Sequence, residues 1–127
     1  MTPNPTSPAT ILRNERLYSM SFGSIYKLYI TKVEKKGRTI NELNTVIFWL
    51  TGYDQKSLDR VIEDMLTNRD FFEHAPMFNP NADKIKGVIC GYRIEDIQDQ
   101  LMKKIRYLDK LVDELAKGKT IDKILRQ

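Results

Sequence analysis

The chain holds one thiol and one imidazole, Cys90 and His74, so nucleophilic chemistry would have to begin with them. A cysteine nucleophile needs a base to generate its thiolate and a third group to orient that base. No motif supplies the set. Cys90 lies between Ile89 and Gly91 in an apolar run, where cysteine usually behaves as a small buried hydrophobe. The expectation is therefore a buried structural cysteine. One His and one Cys cannot build a Cys/His zinc site, so neither metal nor cofactor is expected. The stretch Gly87 to Gly91 lacks both the third glycine of a dinucleotide fingerprint and the Lys-Ser/Thr of a phosphate loop.

Binding residues are easier to nominate than catalytic ones. Trp49 and Tyr53 flank Gly52, and tryptophan often anchors interfaces because it joins a large area to a polar handle. Apolar Ile47 and Leu50 beside Trp49 favour a core role over a contact role. Arg106, Asp109, Lys110 and Asp113 make a dense patch of alternating charge. Such patches are usually solvated faces, with an internal or intersubunit ion-pair network as the alternative. Arg93 close to Cys90 and Tyr92 would suit the mouth of a pocket for an anionic ligand.

These residues need elements to position them. Apolar residues from Phe22 to Val33 return at helical spacing, with Ser21 able to cap the start and Gly37 following the last turn. Thr39-Ile-Asn-Glu42 is a capping-box pattern opening a second helix that Gly52 closes. Asp54 can cap a third helix over about residues 55–66, whose apolar side holds Leu58, Val61, Ile62 and Met65. Asp70 to Glu73 suit one short helical turn, and Pro76 and Pro80 bracket an irregular loop. Residues 84–93 fit either a short strand or a helical face; a tight, buried segment that is not long regular helix is favoured. From Ile94 to Leu115 the three- and four-residue spacing of apolar side chains predicts a long helix ended by Gly118. About 23 residues would span about 34 Å, the diameter of a domain this size. Thr120 can cap a last turn.

The expected fold is mainly α: a compact multihelical single domain of about five helices with a long C-terminal helix. Residues 16–127 form that domain, behind a disordered, proline-rich tail at residues 1–15. A chain of 127 residues can bury a core without a disulfide, which its single cysteine could not form internally. The first residues lack a basic and apolar leader pattern, and no apolar run is long enough to span a membrane. A cytoplasmic protein without membrane partners is the expectation.

The net charge of +4 is concentrated. Between Lys27 and Arg38 five basic residues face only Glu34, whereas residues 39–68 are net negative. Residues 39–64 can be laid out as a helix-turn-helix, but the second helix would carry Asp54, Asp59, Glu63 and Asp64 against Lys56 and Arg60. That helix would repel phosphates. Lys32, Lys35, Lys36 and Arg38 are the better basic patch, though cations there also complement a helix dipole. Nucleic acid is an unfavoured partner.

Several stretches together resemble a bacterial family known only as domain of unknown function 2200. They are residues 48–53 (Phe-Trp-Leu-Thr-Gly-Tyr), Ala75-Pro76 with Asn79-Pro80, Cys90-Gly91, the string Arg106-Tyr-Leu-Asp-Lys-Leu111 within residues 105–118, and Lys123 to Arg126. The resemblance covers about residues 16–127. It implies a mainly α, single-domain bacterial protein, and brings no activity, cofactor or catalytic residue.

The leading expectation is thus a non-enzymatic helical module that self-associates or docks onto a protein partner through Trp49, Tyr53 and the Arg106–Asp113 face. The rival is a small-molecule binder or enzyme with a pocket near Cys90, Tyr92, Arg93 and Trp49. A weaker third is nucleic-acid binding through the cluster from Lys32 to Arg38.

Overall fold

The structure, a computed structural model, describes residues 7–127. Seven α-helices are present among them: α1 (Pro8–Ser19), α2 (Phe22–Glu34), α3 (Ile40–Thr51), α4 (Gln55–Glu63), α5 (Asn68–Glu73), α6 (Gln100–Ala116) and α7 (Ile121–Ile124). A single antiparallel hairpin, β1 (Val88–Ile89) with β2 (Tyr92–Arg93), pairs Val88 with Arg93 and Ile89 with Tyr92. The mainly α, single-domain architecture is as expected.

Local chemistry starts and stops the helices. The Ser21 hydroxyl accepts from the Ser24 N–H at the start of α2. Thr39 and Glu42 close a reciprocal capping box on α3, and Asp54 with Ser57 does the same on α4. Gly52 ends α3 at φ +82°, a conformation that disfavours a side chain. Here the chain also passes close to itself, for a Cβ on Gly52 would lie 2.6 Å from the Met77 backbone nitrogen.

Several expectations need correction. Residues 1–6 of the expected tail lie outside the described residues, but residues 8–15 form the first turns of α1. Their proline starts the helix rather than preventing one: Pro8 occupies the first turn, where its missing N–H is not needed, behind a Ser7 cap. Buried Tyr18, Arg69 stacked over its ring, and the Arg69–Glu15 ion pair fasten α1 to α5. The third helix stops at Glu63, and Met65 adopts φ +54° with its side chain 73% exposed, outside the core. That reversal lets the Leu66 carbonyl accept the Phe22 N–H and brings Thr67 into a bridge with Ser21.

The long helix is shorter at its start. Ile94–Asp96 make a 3-10 turn, Ile97 is extended, and Asp99 caps α6 by accepting from the Leu101 and Met102 N–H groups. Its 17 residues span about 25 Å rather than about 34 Å. Ile94 and Ile97 are both buried, so the three-residue period of a 3-10 turn imitates a helical stripe.

The core is centred on Phe71, whose ring stacks on Phe22 at 3.6 Å between centroids and on Tyr53 at 4.7 Å, while meeting Phe72 edge-on. Fully buried Leu108, Leu111 and Leu115 run along α6 through this core. α2 lies beside α6 and runs the same way, since Tyr29, Lys32 and Arg38 reach Asp109, Asp113 and the Leu115 carbonyl in that order. Both C-termini therefore sit at one end, where Arg38 also donates to the Lys119 carbonyl and to Glu42. Nearby, Arg126 grips buried Glu114 through two bonds of 2.6 and 2.7 Å.

Two outcomes follow from these clasps. Gly52→Ala should lower unfolding free energy in urea by at least about 3 kcal/mol, because left-handed strain adds to a backbone clash; a loss under about 1 kcal/mol would contradict the close approach. Hydrogen bonds from Arg38 and from the Thr39 N–H hold the Glu42 carboxyl down from its ordinary 4.5 to about 2. Its stabilisation is therefore complete above pH 4.5 and is lost as pH falls through about 2. In thermal melts across that interval, wild type should lose Tm more steeply than Glu42→Gln; parallel profiles would contradict the clasp.

Candidate functional site

The hairpin, α2 and α6 meet over a compact polar cluster. Residues one turn apart on α6 face outward beneath the hairpin, and Tyr29 approaches them from α2. The Tyr29 hydroxyl donates to Asp109 Oδ1 at 2.6 Å, and Arg106 donates to Asp109 Oδ2 at 2.8 Å. The Arg106 guanidinium lies over the Tyr92 ring, 4.8 Å from its centroid. Cys90 directs its S–H toward Asp109 Oδ2 at 4.0 Å, and Lys110 donates to the Val88 carbonyl at 3.3 Å. One turn further along, Asp113 accepts from Lys32 at 3.2 Å and pairs with Lys117 at 2.9 Å. The charged patch read from α6 is thus an internal network within one chain, with Arg106 joined to Asp109 rather than to Asp113.

Electrostatics close this cluster rather than prime it. Burial, then the Asp109 charge and hydrogen bond, push the Tyr29 phenol well above its ordinary value. Burial would lower Arg106, but its bond to Asp109 outweighs that and keeps the guanidinium firmly charged. Burial would likewise raise Asp113, yet Lys117 and Lys32 pull it below the usual carboxylate range. The Cys90 thiol is pushed up from 9.0, by burial first and Asp109 second. A reactive cysteine needs the opposite surroundings.

Cys90 itself corrects an expectation. It is not a core residue: it stands largely exposed at the hairpin turn with φ +52°, and only its sulfur, turned toward Asp109, is partly screened from water. The chain reverses between β1 and β2 through Cys90 and Gly91, the latter at φ +81°, so the apolar run folds back on itself and leaves Val88 and Cys90 exposed. His74 is exposed at the end of α5, and the Cys90 S–H is directed at Asp109 instead.

The other nominated residues scatter. Tyr53 is buried, 6% exposed, and its hydroxyl donates to the Phe71 carbonyl; burial pushes its phenol up to about 12. It belongs to the core and offers no contact surface. Trp49 is half-buried against the core, and its carbonyl accepts from Asn79. Among the described residues, no hydrogen bond, ion pair or ring contact joins Trp49 to Cys90, Tyr92 or Arg93. Arg93 is exposed, 3.9 Å from Asp96. The basic cluster is partly consumed: Lys32 is on Asp113, and Arg38 is on Glu42 and two carbonyls.

α3 and α4 do form a helix, a glycine turn and a helix with buried Ile47, Leu58 and Val61, but the outer side of α4 exposes Asp54, Asp59 and Glu63. An open, shallow hollow of about 250 Å³ lies there, lined by Asp54, Lys56, Ser57 and Arg60, and the Asp54 carboxylate already occupies the helix N-terminus. Among the described residues no three His, Cys, Asp or Glu side chains gather as a metal site. No described helix is long and apolar enough to cross a membrane.

Tyr29 was missed from the sequence as a member of this site. Its place on the apolar stripe of α2 marks it as core, and nothing local reveals a carboxylate partner 80 positions away. Leu28 and Val88, exposed by 62% and 57%, were missed too.

Fold and cluster together define a small helical domain with an ion-pair network shared by two parallel helices and a hairpin. The chain belongs to the family described as "Uncharacterized protein conserved in bacteria (DUF2200)", which matches residues 16–126. It is also similar to the crystal structure of uncharacterized protein SP1917, at 46% identity and a TM-score of 0.83, over 87% of this chain and 91% of that one. No curated protein matches it.

A thiol flanked by a carboxylate should titrate late. The rate of Cys90 alkylation in the native protein should rise with a midpoint above pH 9.0, and Asp109→Asn should move that midpoint down. A midpoint below the ordinary thiol value would show an activated cysteine and overturn the closed-cluster description.

Proposed function

We propose that this chain is a non-enzymatic, cytoplasmic interaction module, presenting the face formed by α2 and the hairpin to a protein partner or to a second copy of itself. The observation that carries this reading is the pairing of exposed apolar side chains with a polar cluster whose charges are matched within the chain. Leu28 lies one turn before Lys32 on the stripe of α2 next to α6, and exposed Val88 lies on the hairpin, its carbonyl bonded by Lys110 of α6. Between them the charges of Arg106, Asp109 and Asp113 are already neutralised by neighbours in the same chain. A partner can cover such a face by burying apolar area without first stripping water from unpaired charge.

The contact residues accordingly move from Trp49 and Tyr53 to Leu28, Lys32, Val88 and Arg93, with Arg106, Asp109, Lys110 and Asp113 as the rigid floor. An enzymatic reading centred on Cys90 draws little support from a thiol whose neighbours suppress its ionisation. The nucleic-acid reading is weakened because Lys32 and Arg38 are engaged within the chain.

Sedimentation velocity over a wide concentration range, with affinity capture from a bacterial extract, tests the proposal. Wild type should either associate with itself or retain a defined protein. Leu28→Glu combined with Val88→Glu should abolish that association while leaving the circular dichroism spectrum unchanged. A wild-type chain that stays monomeric and captures nothing, or a double variant that associates as well as wild type, defeats the reading.

A further inference from the structure

The hairpin is fixed at its ends and lightly held at its middle. Ile85 and Ile94, 1% and 0% exposed, sink into the core on either side of it. Its neck is closed by two backbone donors: the Ile94 N–H bonds the Gly87 carbonyl at 2.9 Å, and the Gly87 N–H bonds Glu95 Oε1 at 2.8 Å. Beyond that neck the two paired rungs make residues 88–93 one small body. Val88, Cys90 and Arg93 are exposed, so lifting this body uncovers little apolar area besides that of Ile89 and Tyr92.

Three polar or ring contacts tie it to α6, and all go to charged side chains of one stripe. They are the Tyr92 ring stacked against Arg106, the Cys90 S–H toward Asp109, and the Val88 carbonyl on Lys110. Beneath lie Arg106 and Asp109, whose side chains are only 14% and 16% exposed, and the Arg106 Nε has no hydrogen-bond partner. Covering charge in this way removes hydration that the pair does not fully replace. Opening returns that hydration, which offsets the loss of the three contacts. The tip also relaxes, because a non-glycine residue, Cys90, is held at φ +52°.

We infer that the hairpin is a strap: residues 88–93 lift from α6 as one unit between the fixed ends Ile85 and Ile94, uncovering the Arg106, Asp109 and Tyr29 cluster to solvent. The motion is a sub-global opening of the kind that leaves surrounding helices intact. It does not depend on the identity of any partner.

Amide hydrogen exchange and ¹⁵N relaxation dispersion on the full chain test it. Amides of residues 88–93 should exchange at least ten-fold faster than those in the middle of α6. Their dispersion should share one exchange rate with the Arg106 Nε–H, which reports on the uncovered guanidinium. Lys110→Met, which removes one tether, should raise hairpin exchange several-fold further while the α6 amides keep wild-type protection. Hairpin amides as slow as those of α6 would overturn the strap. So would hairpin dispersion that the Arg106 Nε–H does not share, or a Lys110→Met variant in which hairpin and helix speed up together.

Discussion

Asp109 is the charge around which one side of this molecule is arranged. A carboxylate only 16% exposed must be met by donors, and it draws them from three elements: Tyr29 from α2, Arg106 from its own helix and Cys90 from the hairpin. The requirement sets the register of α2 on α6. With Tyr29 on Asp109, Lys32 falls on Asp113 and Arg38 reaches the end of the helix. It also decides where the hairpin rests, since Tyr92 stacks on the guanidinium that the carboxylate orients.

Apolar packing supplies most of the stability, as in other domains of this size, and the stacked rings of Phe22, Phe71 and Tyr53 form its centre. That core brings helices together without specifying their exact alignment. Directional bonds do so here: the α6 stripe on one side, and on the other Glu114 gripped by Arg126, which pins α7 and the C-terminal residues against the same helix. α6 is consequently a two-sided strut, apolar toward the core and charged toward α2, the hairpin and α7.

Features governed by near neighbours were legible in the sequence. The caps at Ser21, Thr39 and Asp54 and the glycine stop at Gly52 depend on residues three or four positions apart, and spacing reveals them. The bacterial family was legible as well, in the strings around residues 48–53 and 106–111. Errors arose where two structures share one pattern. Ile94 and Ile97 satisfy a helical period but bracket a 3-10 turn, Ile94–Asp96, with Ile97 extended after it, and Pro8 suits a tail as well as a helix start. The site was the least legible part. Its partners are about 80 positions apart in sequence, and an apolar run containing Cys90 does not disclose that a reversal at Cys90 and Gly91 will leave the residue exposed.

The bond between Tyr29 and Asp109 makes the cluster an architectural device between parallel helices, provided that the two residues are energetically joined. A double-mutant cycle with Tyr29→Phe, Asp109→Ala and the combined variant, read by urea unfolding, measures that coupling directly. A buried hydrogen bond to a charged acceptor should give a coupling energy of about 1–3 kcal/mol. A coupling below about 0.3 kcal/mol, within the scatter expected of independent sites, would contradict the account.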